Sequence, residues 1–167
     1  MSPIAAPRVF RSILCPVDFS SNSRAALRYA AMLARLSDAH LIVLYVNDPL
    51  LATAAATRPD AEAILVSTEN DLRRFVTAVI SNGTPRIATT LLTIAGKPSR
   101  EIVIAADRHD CDLIVMGYRG VGRATRLLFG STTEGVVRTS SIPVLAVPPA
   151  RRRARLPVVR TGLRRAS

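Results

Sequence analysis

A glycine-rich stretch contains the residues of this chain whose types and spacing are best suited to chemistry. Gly117, Gly120 and Gly130 follow a short apolar run, and Ser131 comes directly after the last of them. Glycine permits close backbone approaches that a Cβ would obstruct, and the first turn of a helix offers amides and a positive dipole end to an anion. A strand end followed by glycines and a helix N-terminus predicts a phosphate-binding site.

Two local patterns refine this site and leave alternatives open. Ser131 and Glu134 have capping-box spacing, so we expect the serine side chain to cap the helix that begins there. Asp18, just after the first predicted strand, can accept hydrogen bonds from ribose hydroxyls or from a donor on the adenine side, or it can cap the next helix. The glycines likewise have the alternative of plain turn chemistry.

The apolar patterns predict strands and helices in strict alternation. The predicted strands are Arg11–Val17, His40–Val46, Arg86–Thr93, Leu113–Met116 and Pro143–Val147, and the helices run from about 23 to 36, 60 to 81, 98 to 107 and 131 to 139. Threonines within the third strand favour an edge position. The alternation predicts a single-domain α/β fold, a doubly wound five-stranded parallel sheet with helices on both faces.

Pattern and charge divide the chain into three parts: a leader with two prolines and little pattern at residues 1–8, a domain at 9–149 and a basic tail at 150–167. Seven arginines and no acid lie between Arg151 and Ser167, which leaves +4 of the net charge of +11 for the residues before them. Such a tail is either a solvated, disordered segment or an electrostatic contact for nucleic acid, anionic lipid or an acidic partner.

Cysteine and histidine usage argues against a disulfide framework, a metal site and a catalytic histidine. Cys15 and Cys111 fall in or beside predicted buried strands, which favours inert thiols in a reducing compartment. His40 and His109 stand alone, without a paired nucleophile or metal-ligand spacing. Lacking a signal-peptide pattern and an apolar run of about 20 residues, the chain is expected to be cytoplasmic, without a membrane span.

Catalysis has no visible apparatus in the sequence. Lys97 is followed by Pro98, which spoils the phosphate-loop pattern of P-loop proteins. We identify no general base and no water-activating pair, so efficient hydrolysis is not expected.

The spacing Gly117-x2-Gly120-x9-Gly130-Ser131 resembles the nucleotide-binding signature of the universal stress protein family. The resemblance extends from about Arg11 to Pro148. Five segments fall in the family's order: ILCPVDFS, LIVLYV, AGKPSREIV, DLIVMG and SIPVLAVP.

This resemblance implies a fold and a set of nucleotide contacts. It implies the strand order 3-2-1-4-5, which places Asp18 and Gly117 on either side of one crevice. Val46 would meet the adenine and Met116 would line its pocket, although burial in the core is the simpler role for both. Arg119 either pairs with a phosphate or faces solvent. The full set of implied contact residues is Pro16, Val17, Asp18, Val46, Met116, Gly117, Arg119, Gly120, Gly130, Ser131 and Thr132.

The resemblance also implies a function, an ATP-binding, homodimeric regulatory or sensing module of the stress response. Mg²⁺ would be held largely by the ATP phosphates, and dimerisation would use the strand Pro143–Val147. The loop from Asn47 to Pro59 is a candidate lid. Two alternatives stay open: a slow ATPase or adenylate-transferring enzyme, and a nucleic-acid-associated stress protein acting through its basic tail.

Overall fold

A computed structural model describes residues 9–47, 61–80, 86–118 and 130–148. For residues 61–67 it describes the backbone alone. Strands and helices alternate throughout this part of the chain, as predicted. The elements are β1 (Ser12–Val17), α1 (Ser21–Ser37), β2 (His40–Asn47), α2 (Ala61–Ile80), β3 (Thr89–Ala95), α3 (Pro98–Arg108), β4 (Leu113–Gly117), α4 (Ser131–Thr139) and β5 (Val144–Val147).

The five strands form one parallel sheet in the order β3-β2-β1-β4-β5. β1 is central, and Ile13, Leu14 and Cys15 in it have no exposed surface. A strand buried on both faces must be apolar at successive positions, which is why its sequence shows no polar alternation. The predicted fold class and strand order are both confirmed.

Helices cover both faces of the sheet. α1 and α2 pack on one face, where Leu27 and Phe75 meet the inward side chains of β1 and β2. α3 and α4 pack on the other face through Ile102 and Val136. Successive strand residues point to opposite faces, so each strand supplies both cores.

β3 is an edge strand, as its threonines predicted, but its predicted range of 86 to 93 was wrong. The strand runs from Thr89 to Ala95 because it pairs with β2 from Leu41↔Thr89 to Asn47↔Ala95. Where β2 begins and ends therefore sets the range of β3. Residues 86–88 precede the ladder, and the Leu41 N–H donates to the Ala88 carbonyl at 2.8 Å.

Both cysteines are free and buried, as expected. Cys15 lies within β1, and burial raises the pKa of its thiol. Burial also raises the pKa of Cys111, against a smaller opposing effect of the hydrogen bond with Ser12. The Cys111 Sγ lies 3.5 Å from the Ser12 Oγ.

The raised pKa of Cys15 predicts a loss of stability in alkali. An unfolded thiol ionises above about pH 8.5, whereas the buried one keeps its proton, so the unfolded chain binds fewer protons and the free energy of unfolding falls as pH rises. Between pH 8 and pH 10 this single group lowers it by about 2 kcal/mol. Urea unfolding at both pH values should show a flatter pH dependence for Cys15→Ala than for the wild type. Parallel pH dependences would contradict the prediction.

Several predicted features lie outside the described residues. They are the leader at 1–8, most of the Asn47–Pro59 candidate lid and the basic tail at 150–167. Within the described ranges, no helix combines the length and apolar character needed to cross a membrane.

Candidate functional site

The chain leaves neighbouring strands in opposite directions at one point of the sheet. β1 leads into α1 on one face, and its neighbour β4 leads towards α4 on the other face. Diverging connections open a crevice outside the carboxyl ends of the two strands, and ligands of doubly wound folds bind at such points. Asp18 follows β1 directly, and Gly117 is the last residue of β4. Both therefore lie at this crevice.

Asp18 belongs to a tight turn that starts α1. Its Oδ1 accepts a hydrogen bond from the Ser20 N–H at 3.1 Å, and its own N–H donates to the Ser23 Oγ at 3.3 Å. The cap of α1 is Ser20, whose Oγ accepts from the Ser23 N–H at 3.1 Å. Helix capping therefore belongs to Ser20, and one carboxylate oxygen of Asp18, two residues before that cap, holds the turn.

Phe19 gives this turn an unusual backbone. Its φ of 61° lies in the left-handed region, which residues other than glycine rarely adopt. The Phe19 ring lies 4.7 Å from the Tyr45 ring and 5.4 Å from the Phe75 ring, centroid to centroid. The Arg24 guanidinium covers the Phe75 ring at 4.6 Å. The aromatic contacts anchor Phe19 to β2 and α2, and so they hold the turn that carries Asp18.

Gly117 brings the end of β4 against the first turn of α1. A Cβ at position 117 would lie 3.0 Å from the Asn22 carbonyl carbon and 3.1 Å from the Asn22 Cβ. A backbone atom at that distance cannot rotate away as a side chain would. The glycine is therefore needed for the close approach of the two connections that border the crevice.

Thr133 joins the same strand end to α4. Its hydroxyl donates to the Gly117 carbonyl at 3.0 Å, and its side chain is buried. The Gly130 N–H donates to the Tyr118 carbonyl at 3.2 Å, and the Tyr118 N–H donates to the Val147 carbonyl at 2.7 Å. These bonds place the N-terminus of α4 beside the carboxyl ends of β4 and β5.

Sequence reasoning missed Thr133. The signal was the run of three hydroxyl residues after Gly130, from Ser131 to Thr133. Which of the three points inward depends on where the first helical turn begins, and the sequence does not reveal that phase.

The predicted capping box was wrong. Gly130 is the N-cap of α4, with no side-chain capping bond, and the Glu134 N–H donates to the Gly130 carbonyl at 2.9 Å. Ser131 is already the first helical residue, so its hydroxyl is one position too late to cap. The Glu134 carboxylate instead accepts from Arg138 at 2.6 Å. The exposed Ser131 and the half-buried Thr132 thus lie in a first turn whose amides have no carbonyl four residues earlier in the helix.

The implied nucleotide contacts on β1, β2 and β4 have side chains on two different faces of the sheet. Met116 is buried in the core beside α3 and α4, and the half-buried Val46 packs against the same core. Pro16 faces that side as well, since it is two residues after Leu14, which belongs to this core. Val17 packs instead into the core beside α1 and α2. Its side chain therefore points away from the other three.

Two of the implied contacts, Arg119 and Gly120, lie outside the described residues. His40, which the sequence left without a chemical partner, lies 2.9 Å from the Thr90 hydroxyl through its Nε2, a contact between β2 and β3. In the described part of the chain, no group of three or more His, Cys, Asp and Glu side chains is arranged to hold a metal ion.

Comparison with known proteins finds relatives that this chain matches over most of their length. A universal stress protein of the cyanobacterium Synechocystis is 35% identical over 143 residues, a match covering 84% of this chain and 87% of the relative. The solved structure of a Methanocaldococcus jannaschii relative superposes with a TM-score of 0.70 at 26% identity, over 84% of this chain and 97% of the other.

A second solved structure is similar in fold and carries a ligand. It is a universal stress protein in complex with cAMP, with a TM-score of 0.62 and 26% identity over 84% of this chain and 98% of that one. The sequence model of the universal stress protein family matches residues 10–148. This chain therefore belongs to the universal stress protein family.

Proposed function

We propose that the crevice binds an adenine nucleotide, ATP in particular, and that the protein is a regulatory or sensing module of the stress response. The supporting observation is that the Asp18 turn, Gly117 and the first turn of α4 lie together at the carboxyl ends of β1 and β4. A relative of the same fold in complex with cAMP supports the adenine nucleotide as the ligand class.

Each part of the nucleotide has a suited partner. The carboxylate of Asp18 accepts hydrogen bonds from ribose hydroxyls, while the half-buried Val46 offers apolar contact, with the buried Pro16 and Met116 on the same face of the sheet. The amides of Ser131 and Thr132 receive phosphate oxygens at the positive end of α4, and Arg119 and Gly120 complete this cradle in our proposal. Val17 contributes through its backbone, because its side chain is in the opposite core.

Mg²⁺ accompanies ATP in this proposal and is held largely by the phosphates, which supply the oxygen ligands that it prefers. Hydrolysis is not a part of the proposed function. Incubation of the purified protein with Mg-ATP, followed by chromatography of the nucleotides, tests for a slow ATPase or an adenylate transfer by the appearance of ADP or AMP.

Dimerisation through β5 belongs to the same proposal. β5 is an edge strand of the sheet, and Leu145 on it is 39% exposed. An edge strand with apolar side chains is a template for pairing with a second copy. Sedimentation measures this directly: a mass of one chain, 18.0 kDa, at every concentration would remove the dimer from the proposal.

Asp18 variants test nucleotide binding. Asp18→Asn keeps an oxygen acceptor for the Ser20 N–H but removes the charge, so we expect ATP affinity to fall about tenfold while the turn persists. Asp18→Ala should bind more weakly still. Titration calorimetry with ATP, and mass spectrometry of any nucleotide that copurifies with the wild type, provide the measurements.

Asp71→Asn is the matched control for this experiment. Asp71 lies on α2, with a side chain 57% exposed and an ion pair to Arg74 at 3.8 Å, so its replacement removes the same charge away from the crevice. It should bind ATP as the wild type does. Equal affinities for the wild type, Asp18→Asn and Asp18→Ala would contradict the proposal.

A further inference from the structure

An arginine-lined cleft lies at the amino-terminal ends of the strands, at the opposite end of the sheet from the nucleotide crevice. Its volume is about 320 Å³, at the lower end of the range for small-molecule sites. Arg11, Arg35 and Arg86 line it together with Asp38 and His40. The strands rise about 3.3 Å per residue, so the length of β2 separates the two sites by roughly 20 Å.

The cleft is built by the starts of three strands and the end of α1. The His40 N–H donates to the Arg11 carbonyl at 2.9 Å, and the Leu41 N–H donates to the Ala88 carbonyl at 2.8 Å. Asp38 ends α1 in the left-handed conformation, with φ of 51°. These backbone contacts give the cleft a regular, hydrogen-bonded frame.

Arg35, one of the lining residues, is half-buried. Its Nη2 donates to the carbonyl of Ile80 at 2.9 Å, which satisfies an acceptor at the C-terminus of α2. Its Nε is buried and has no hydrogen-bond partner among the described residues. A buried donor on a charged group without a partner is costly, and such donors are rare in folded proteins. One nitrogen of Arg35 therefore has a structural role, and the Nε is unpaired within the part of the chain that the structure describes.

The charges of the lining favour a small dianion. Three guanidinium groups and one carboxylate are present among the lining residues, a balance of two positive charges. Guanidinium groups present their donors in a planar fork that matches the oxygens of phosphates and carboxylates. We propose that this cleft binds a small organic dianion, either a phosphomonoester or a dicarboxylate, with the Arg35 Nε as one of the donors.

The test uses the full chain and three probes, glycerol 3-phosphate, malate and uncharged glycerol. Binding is followed in ¹⁵N–¹H NMR spectra, including the Nε–H resonance of Arg35, which reports on the buried donor without a substitution. Either anion should shift this resonance and the amides of Ala39, His40 and Ala88, and glycerol should shift none of them. The anion that binds more tightly identifies the head group. Failure of both anions to shift these resonances would overturn the proposal.

Charge-matched variants distinguish the cleft from general attraction to a basic protein. The double variant Arg11→Gln/Arg86→Gln should weaken binding of the preferred anion about tenfold or more. The control Arg28→Gln/Arg100→Gln removes two arginines from exposed positions on α1 and α3, and it should leave the affinity unchanged. Equal weakening in both double variants would mean that only net charge matters, and it would refute the site.

This inference is independent of the proposed nucleotide site. Asp18→Ala should leave dianion binding at the cleft unchanged, because Asp18 lies at the carboxyl end of β1 and the cleft lies at the amino-terminal ends of the strands. Loss of ATP binding with intact dianion binding, or the reverse, would therefore separate the two proposals.

Discussion

Replacing Gly117 by valine is expected to lower the affinity for ATP by about 100-fold and the free energy of unfolding by about 1–3 kcal/mol. A Cβ at this position would already lie 3.0 Å from the Asn22 carbonyl carbon, and valine adds two methyl groups beyond it. The backbone of Asn22 can give way only if the first turn of α1 moves. That turn also holds Asp18, whose N–H donates to the Ser23 Oγ.

One substitution therefore disturbs both borders of the proposed nucleotide crevice. Gly117→Ala should have a smaller effect of the same kind, which gives the order glycine, alanine, valine for both affinity and stability. Urea unfolding gives the stability, and calorimetry with ATP at a temperature where each variant is folded gives the affinity.

Ala34→Val is a suitable control for stability alone. Ala34 is 1% exposed and lies in the last turn of α1, at the opposite end of the strands from Asn22. Overpacking there should destabilise the protein to a comparable degree without moving the crevice. If Gly117→Val binds ATP as tightly as Ala34→Val does, the close approach at Gly117 has no part in nucleotide binding.

Replacing Phe19 should reveal an unusual order of stability, in which glycine is tolerated better than alanine. Phe19→Ala loses the ring contacts with Tyr45 and Phe75 but keeps a left-handed backbone, so unfolding should become easier by about 2–3 kcal/mol. Phe19→Gly loses the same contacts but relieves about 1 kcal/mol of backbone strain.

Urea unfolding of the wild type and both variants measures this order. Phe19→Leu keeps an apolar side chain at the same position and should fall between the wild type and the glycine variant. ATP affinity should also fall in Phe19→Ala, because the turn that carries Asp18 loses its anchor on β2 and α2. A glycine variant less stable than the alanine variant would show that φ of 61° costs nothing at this position.

Local sequence patterns were sufficient for the elements of the fold and for most of their bounds. Runs such as Leu113–Met116 are apolar at every position, and only a strand buried on both faces requires this. The edge position of β3 was visible in its threonines, because residues at an edge are half-buried. The range of β3 was not visible, since it depends on the pairing with β2 more than 40 residues earlier.

The sequence by itself determined the parallel α/β fold, the glycines at the end of β4 and the acid after β1, because spacing along the chain encodes all three. The tertiary structure decided which residue caps α1 and which caps α4, the contact of Gly117 with Asn22, the inward position of Thr133 and the face on which Val17 lies. It also brought Arg11, Arg35 and Arg86 to one cleft. Each of these depends on the exact residue at which an element begins or on contacts between residues far apart in the chain, and local sequence patterns specify neither.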